Sequence, residues 1–599
     1  MVDTSCSPFA KLRPVTIESI DLEDIFWAPR LQNVREVTLP SQYQLCEETG
    51  RLFNFRRTSG EDIGNFQGFF FNDSDVYKWV EAVGFSLAGG GDQKLHDLAE
   101  QAIRLIVAAQ DEDGYLDTYF TFERKKDRWT NLRDMHELYC AGHLMQGAIA
   151  YYRATGENDL LEAACRLADR IGSMFGPDKR PGAPGHPEVE MALVELYRTT
   201  GNEDYINLAK FFIDKRGTGV IGGGGYHIDH KPLRELSEIV GHAVRSLYLN
   251  CGAADVYMET GDKILWDALV RLWNSMTEYK MYITGGVGAR YEGEAFGENH
   301  ELPNARAYAE TCAAIANVMW NWRMLQISGK ARFADVMELA LYNGVISGIS
   351  LDGKNYFYVN PLADRGHHRR QSWFECACCP PNVARLLASL PGYFYSLSTE
   401  GVWVHLYAKN TAHLKVNRSS LAITQQTKYP WDGEIKMVLQ PQEEMTFSLF
   451  LRIPGWCRKA EVKVNSKILD TPVQPGRYAE VRRLWKAGDR VHLSFSMPVE
   501  QIISHPHVIE NNDRVALKRG PIVYCVEQVD NPHFDPWGLA LPADASVQVV
   551  WEPKLLDGIM IVRGEALAAD EVEFKRHLYR PLASVASRLR HVKFVAIPY

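Results

Sequence analysis

The chain has 599 residues, 46% hydrophobic and 24% charged, with a formal net charge of -9. That length exceeds one ordinary core and predicts two or three domains. The acidic balance, without any basic stripe, excludes nucleic acid as the main partner. No secretory signal pattern opens the sequence and no apolar run is long enough to span a bilayer, so no membrane association is expected.

Eleven cysteines are present. Cys46, Cys140, Cys165, Cys251, Cys457 and Cys525 stand alone, at spacings unlike a secreted disulfide framework. A reducing, cytoplasmic location is expected.

Helical periodicity dominates up to residue 395. A degenerate repeat runs through it: Tyr152-Arg153-Ala154-Thr155-Gly156, Tyr197-Arg198-Thr199-Thr200-Gly201, Tyr257-Met258-Glu259-Thr260-Gly261 and the weaker Gln326-Ile327-Ser328-Gly329. Each segment ends an apolar-periodic helix on a glycine suited to the left-handed C-cap, and a second helix follows, as over 160–174 and 205–215. The glycines are 45, 60 and 68 residues apart, which fits helical hairpins joined by loops of growing length. Aromatic, Gly-rich loops at 113–120 and 221–227 favour a closed ring of hairpins with a pocket at one end over an open solenoid.

His136, His186 and His242 precede predicted helices on different hairpins, where a ring would bring them together around a hydroxyl-rich ligand. Asp73, Asp75 and Trp79 are expected in the same pocket. The run 291–301 holds Glu292, Glu294, Glu298 and Glu301. Such a run is ordinarily a solvated loop, but its glycines and aromatic neighbours weigh against that.

The densest chemistry is at Glu310-Thr311-Cys312 and Glu375-Cys376-Ala377-Cys378-Cys379-Pro380-Pro381-Asn382. Adjacent cysteines seldom pair with each other, whereas thiolates bind zinc and act as nucleophiles. One glutamate and three cysteines would complete a tetrahedral zinc site. Spacing alone does not choose between Cys376 and Cys378, nor between a structural ion and one bound to a reactive thiolate. Plain burial of small hydrophobes is the competing explanation.

After residue 395 the pattern alternates, as in 402–407, 446–452 and 460–464, with turns at Pro454-Gly455 and Ala487-Gly488-Asp489. A further β-rich block follows Pro498, including 514–517 and 521–525. The predicted division is a helical domain over 1–395 and β-sandwich domains over 396–500 and 501–599.

Gly293-Glu294-Ala295-Phe296, Glu310-Thr311-Cys312 and Cys376-Ala377-Cys378-Cys379-Pro380-Pro381-Asn382 together resemble the signature of glycoside hydrolase family 127, the β-L-arabinofuranosidases. The resemblance covers nearly the whole chain. It implies a multidomain α+β protein, an (α/α)6 barrel followed by β-sandwich domains. It implies zinc held by Glu310, Cys312, Cys378 and Cys379, with Cys378 the nucleophile and Glu294 the general acid/base. His136, His186, His242 and Tyr358 would hold the sugar, leaving Cys376 and Glu375 without a role. The implied reaction is retaining, exo-acting release of L-arabinofuranose from a small glycoside or oligosaccharide. Burial and nearby negative charge would raise the Glu294 carboxyl. Relatives are expected to continue for a further strand beyond Tyr599. An exposed sandwich edge leaves a homodimer open. The alternatives are a sugar epimerase or unsaturated-uronide hydrolase on the same barrel, and a carbohydrate-binding protein with structural zinc.

Overall fold

The computed structural model describes residues 2–470, 473–569, 577–579, 581 and 589–599. Helices α1 (Trp27–Asn33), α2 (Leu39–Glu48) and α3 (Arg51–Ser59) lead into a series of pairs. These are α4 (Asp73–Ala88) with α5 (Gln93–Ala108), α6 (Glu137–Thr155) with α7 (Asp159–Met174), and α8 (Val189–Thr200) with α9 (Glu203–Lys215). Then come α10 (Ala243–Thr260) with α11 (Lys263–Tyr279), α12 (Thr311–Ser328) with α13 (Ala331–Leu339), and finally α14 (Cys379–Ser389).

Burial separates the two members of each pair. Helix α7 buries Leu160, Ala163, Ala164, Leu167, Ala168 and Ile171, the one-sided stripe of a helix with an outer face. Helix α12 buries nearly every residue and is therefore surrounded by protein. The first members pack in sequence: α4 on α6, α6 on α8, α8 on α10, α10 on α12, α12 on α14, and α14 on α4. Gly84 and Gly147 permit the tight α4–α6 approach. A Cβ on Gly84 would stand 2.8 Å from the Ala150 carbonyl carbon, and one on Gly147 would stand 2.7 Å from the Tyr77 carbonyl oxygen.

Between these helices lie buried ion pairs. Arg198 reaches Asp255 at 2.9 Å, Glu259 at 2.7 Å and Glu195 at 3.0 Å, and Arg323 reaches Asp255 at 2.6 Å. Arg385 of α14 meets Glu81 of α4 at 2.6 Å. The repeat glycines are the expected caps: Gly156, Gly201, Gly261 and Gly329 have φ of 81°, 76°, 69° and 64°. Each donates its N–H to the carbonyl four residues back.

The β-rich part begins with two sheets, one of five strands and one of seven. The N-terminal stretch, placed by sequence with the helices, supplies an edge strand to each: Arg13–Pro14 pairs with Tyr395–Leu397, and Ile20–Leu22 with Asn410–Val416. Two- and three-residue strands are too short for alternation to show. Beyond Val499 a second antiparallel network forms. Its last strand, Leu589–Pro598, pairs with Ile559–Ala569 along most of its length and with Ile522–Cys525 at its end. Among the described residues no helix is long and apolar enough to cross a membrane.

Two outcomes follow for stability. Gly156→Ala, whose added Cβ meets nothing, should cost only the left-handed backbone penalty, about 1–2 kcal/mol. Gly147→Ala should cost about 3 kcal/mol because α4 and α6 must separate; denaturant unfolding compares the two. Burial raises the Glu195 carboxyl, but Arg153 and Arg198 win and hold it at about 2, below its ordinary 4.5. Stability from this group is present above pH 4.5 and lost as pH falls toward about 2. Glu195→Gln should therefore flatten the acid limb of the stability–pH curve.

Candidate metal centre and active site

The N-termini of two neighbouring helices build the centre. Glu310 is the N-cap of α12 and Cys312 lies in its first turn. Cys378 is the N-cap of α14 and Cys379 its first residue, followed by Pro380 and Pro381. Proline suits this turn because the first N–H groups of a helix have no intrahelical acceptor. A crossing segment fixes the α12 entry: Thr311 N–H donates to the Tyr358 carbonyl and Asn360 Nδ2 to the Ala309 carbonyl, both at 2.9 Å. Ala309 is held at φ 39°, a conformation that a residue with a side chain adopts only under constraint.

Cys312 Sγ lies 3.7 Å from Cys378 Sγ and 3.3 Å from Cys379 Sγ, and the latter two are 3.8 Å apart. Glu310 Oε1 lies 3.6 Å from Cys378 Sγ and 3.5 Å from Cys379 Sγ. A tetrahedral zinc ion with Zn–S of about 2.3 Å and Zn–O of about 2.0 Å needs S···S edges near ~3.8 Å and S···O edges near ~3.5 Å. Glu310 Oε2 is buried with no hydrogen-bond partner among the described residues. Donor types, spacing and this orphaned oxygen all fit a metal ion, and the set is compatible with zinc.

Charge makes the same point. Burial and the neighbouring Cys378 and Glu294 push the Glu310 carboxyl well above its ordinary range, and burial likewise raises the Cys379 thiol. A divalent cation would supply opposite charge to such a cluster. Lys78 is the nearby fixed cation. Burial disfavours its ammonium, but Asp75 and the sulfurs of Cys378 and Cys312 outweigh that and raise it.

The histidines meet as expected. His136 and His186 rings are 5.5 Å apart, and His186 and His242 rings 5.7 Å. Burial lowers all three, His136 to about 3, so they are neutral near pH 7. Their tautomers differ. His136 Nδ1 lies 2.9 Å from the Asp134 carbonyl and His186 Nδ1 2.9 Å from the Pro187 carbonyl. Each must donate there, which leaves Nε2 as an acceptor for a hydroxyl. His242 caps α10, its Nδ1 accepting from Arg245 N–H at 3.5 Å, so its Nε2–H donates to Glu294 Oε2 at 2.9 Å.

Glu294 lies at the tip of a hairpin that docks on the start of α10 through Phe296 N–H to the Gly241 carbonyl at 2.9 Å. Of the four glutamates in its run, it alone turns inward. Glu292 pairs with Arg306, while Glu298 and Glu301 pair with Arg290. The expected rise in its carboxyl pKa is not found. Burial does raise it, but hydrogen bonds from His242 and Tyr308 and the charges of His242 and Arg245 bring it below the ordinary value. Tyr358 Oη faces Cys378 Sγ at 3.1 Å and Cys376 Sγ at 3.7 Å.

Two expectations about α4 are corrected. The Asp73 carboxylate is consumed by Thr118, which donates its N–H at 2.7 Å and its hydroxyl at 2.6 Å. Trp79 is buried and donates to the Leu39 carbonyl at 2.8 Å. Asp75 stands behind the site: it pairs with Arg51 at 2.8 Å, and Arg51 also donates to the Glu375 carbonyl at 2.8 Å, fixing the cysteine segment. Sequence reading missed Tyr308, Lys78 and Arg51. Only Tyr308 carried a signal, lying two residues before Glu310.

The chain matches the model of the β-L-arabinofuranosidase GH127 catalytic domain over residues 19–392. It matches the GH127 middle domain over 401–497 and the family's C-terminal domain over 499–599. A curated non-reducing end β-L-arabinofuranosidase of Bifidobacterium longum subsp. longum is 34% identical, covering 96% of this chain and 97% of that protein. The solved GH127 β-L-arabinofuranosidase from Geobacillus stearothermophilus is 44% identical with a TM-score of 0.94, covering 97% of each chain. A second solved GH127 β-arabinofuranosidase is 40% identical with a TM-score of 0.93, covering 98% of this chain and 95% of that one.

Arg51→Met removes one partner of a buried pair and frees the Glu375 carbonyl. It should cost about 3 kcal/mol in unfolding free energy, whereas removing the exposed Lys263–Asp267 pair should cost about 0–0.5 kcal/mol.

Proposed function

This chain belongs to glycoside hydrolase family 127, and from that premise we propose that it is a zinc-dependent, retaining, exo-acting β-L-arabinofuranosidase. The observation that carries the mechanism is the placement of both Cys378 and Glu294 close to Glu310. Cys378 Sγ is 3.6 Å from Glu310 Oε1, and Glu294 groups with Glu310 and His242 within 4.8 Å. We propose an (α/α)6 barrel over 1–395, supported by the closed sequence of helix contacts, and β-sandwich domains over 396–500 and 501–599. A cytoplasmic location fits eleven cysteines of which none is disulfide-bonded.

Glu310, Cys312, Cys378 and Cys379 would hold the zinc. Bound there, it would keep the thiolates ionised near neutral pH. His136, His186 and Tyr358 receive the sugar hydroxyls, with the two histidine Nε2 atoms as acceptors. Cys378 Sγ attacks the anomeric carbon and forms a C–S bond, while the bond to the leaving oxygen breaks and Glu294 gives that oxygen a proton. In the second step Glu294 takes a proton from water, the water oxygen bonds to the anomeric carbon, and the C–S pair returns to sulfur. Two displacements retain configuration.

Cys378→Ser and Glu294→Gln should each lower kcat/KM on an aryl β-L-arabinofuranoside by at least about a thousandfold. A furanose-configured electrophile should label Cys378 in the unsubstituted enzyme. Removal of metal by a strong chelator should abolish activity and lower the melting temperature, with recovery on adding zinc. Near-normal turnover by Cys378→Ser would refute the mechanism. An isomerised sugar with no bond cleaved would favour an epimerase. Persistent sugar binding without hydrolysis in the unsubstituted protein would favour a binding protein with structural zinc.

A further inference from the structure

A second cluster of metal-binding side chains lies apart from the cysteine centre. His300 comes from the loop after the Glu294 hairpin, and His505 and His507 from the segment following Val499–Ile502 in the C-terminal domain. The His300 and His505 rings stack at 4.4 Å with 25° between planes. His507 lies 5.3 Å from His300 and 4.7 Å from His505. One ring nitrogen from each of the three falls within 4.8 Å of the others. Three of the chain's 18 histidines thus converge at one spot from two domains.

The surroundings fix the cluster and leave it open. His300 N–H donates to the Tyr279 carbonyl at 2.9 Å. Across the junction, Asn304 N–H donates to Glu510 at 2.6 Å and Asn304 Nδ2 to Asn511 Oδ1 at 2.8 Å. These contacts hold the two backbones in register. His505 and His507 are exposed and His300 half-buried, so an ion can reach them from solvent. Among the described residues none of the three forms an ion pair with a carboxylate. Two contacts compete: His507 N–H to His505 Nδ1 at 3.2 Å, a long bond that an ion at that nitrogen would replace, and a bond from the His300 ring to the Asn299 backbone, which occupies one of its two ring nitrogens.

We propose that His300, His505 and His507 form a second transition-metal site that clasps the loop behind the acid/base hairpin to the C-terminal domain. Three neutral imidazoles suit zinc, nickel and copper, and exclude magnesium and calcium, which take oxygen ligands. The remaining coordination positions face solvent, so the ion exchanges readily, unlike one bound by thiolates. Closing on it requires the nitrogens, within 4.8 Å of one another, to draw together by up to about 1.5 Å, to the roughly 3.3 Å edge of a tetrahedron with M–N of about 2.0 Å. The ligated loop runs between Glu294 and Glu310. Its occupancy therefore stiffens the segment that joins the proposed acid to the proposed metal ligand. The site itself stands independently of the cysteine centre's role.

The test is titration of the full-length protein, as isolated, with nickel chloride by calorimetry, beside melting curves. The unsubstituted chain should take up a single nickel equivalent with micromolar affinity and melt at a higher temperature in its presence. His505→Gln/His507→Gln changes only exposed side chains and should retain the metal-free melting temperature while losing the nickel uptake and the melting shift. His300→Gln should weaken nickel binding by at least about tenfold. Nickel uptake of equal stoichiometry and affinity in the double variant would overturn the proposal, as would uptake only at millimolar nickel in the unsubstituted protein.

Discussion

Most of the polar groups of the candidate site hang from the N-terminal ends of the inner helices. His136 precedes α6, His242 caps α10, Glu310 caps α12, and Cys378 caps α14. A ring in which alternate helices run the same way brings those ends to one face. There the exposed N–H groups and the helix dipoles favour negative charge. A carboxylate and three thiolate-forming residues at helix starts, Glu310, Cys312, Cys378 and Cys379, are placed where their ionised forms cost least. The opposite ends carry the left-handed glycine caps, which turn the chain in two or three residues and leave little room for chemistry. Long loops accordingly collect on the N-terminal face.

Concentrating anions at one point has to be offset from behind. Arg51, Asp75 and Lys78 do this in layers: Arg51 neutralises Asp75 and fixes the Glu375 carbonyl, and Lys78 faces both Asp75 and the sulfurs. These residues touch the site through charge and backbone placement. They come from α3 and α4, far from the cysteines in sequence, which is why spacing gives no hint of them. Deeper in the ring, Arg385 and Arg323 tie the helices together through Glu81 and Asp255. A buried pair like these is costly to break from one side, so the ring resists the small displacements that would spoil a four-donor geometry.

The repeat glycines were legible because a left-handed C-cap admits few residues, so the backbone requirement appears directly in the sequence. The candidate metal donors were legible as residue types, since adjacent thiols seldom pair with each other and thiolates with a carboxylate make a metal-binding set. The choice of Cys378 over Cys376 was not: it came from family resemblance, and the geometry that supports it is the 3.6 Å and 3.7 Å approach of Cys378 to Glu310 and Cys312. Asp73 and Trp79 looked equivalent to Asp75 by position, but Asp73, two residues away, points to another side of α4 and meets Thr118, while Trp79 shares the face of Asp75 one turn further along and meets the Leu39 carbonyl on α2. The N-terminal strands were invisible because a pairing of two or three residues is decided by what lies alongside.

The lowered Glu294 carboxyl follows from the same helix-start geometry. Capping α10 occupies His242 Nδ1, which puts the proton on Nε2 and aims it at Glu294. The fold therefore stabilises the carboxylate, the form that would draw a proton from water in the second step of the proposed reaction. The proposed first step would need the acid. A sugar seated between the histidines and Cys378 would exclude water from Glu294, and loss of hydration favours the neutral form. Under the proposed mechanism the open site would be poised as a base, and substrate itself would shift the residue toward the acid. His242 sets the balance between the two, through a tautomer fixed by its duty as a helix cap.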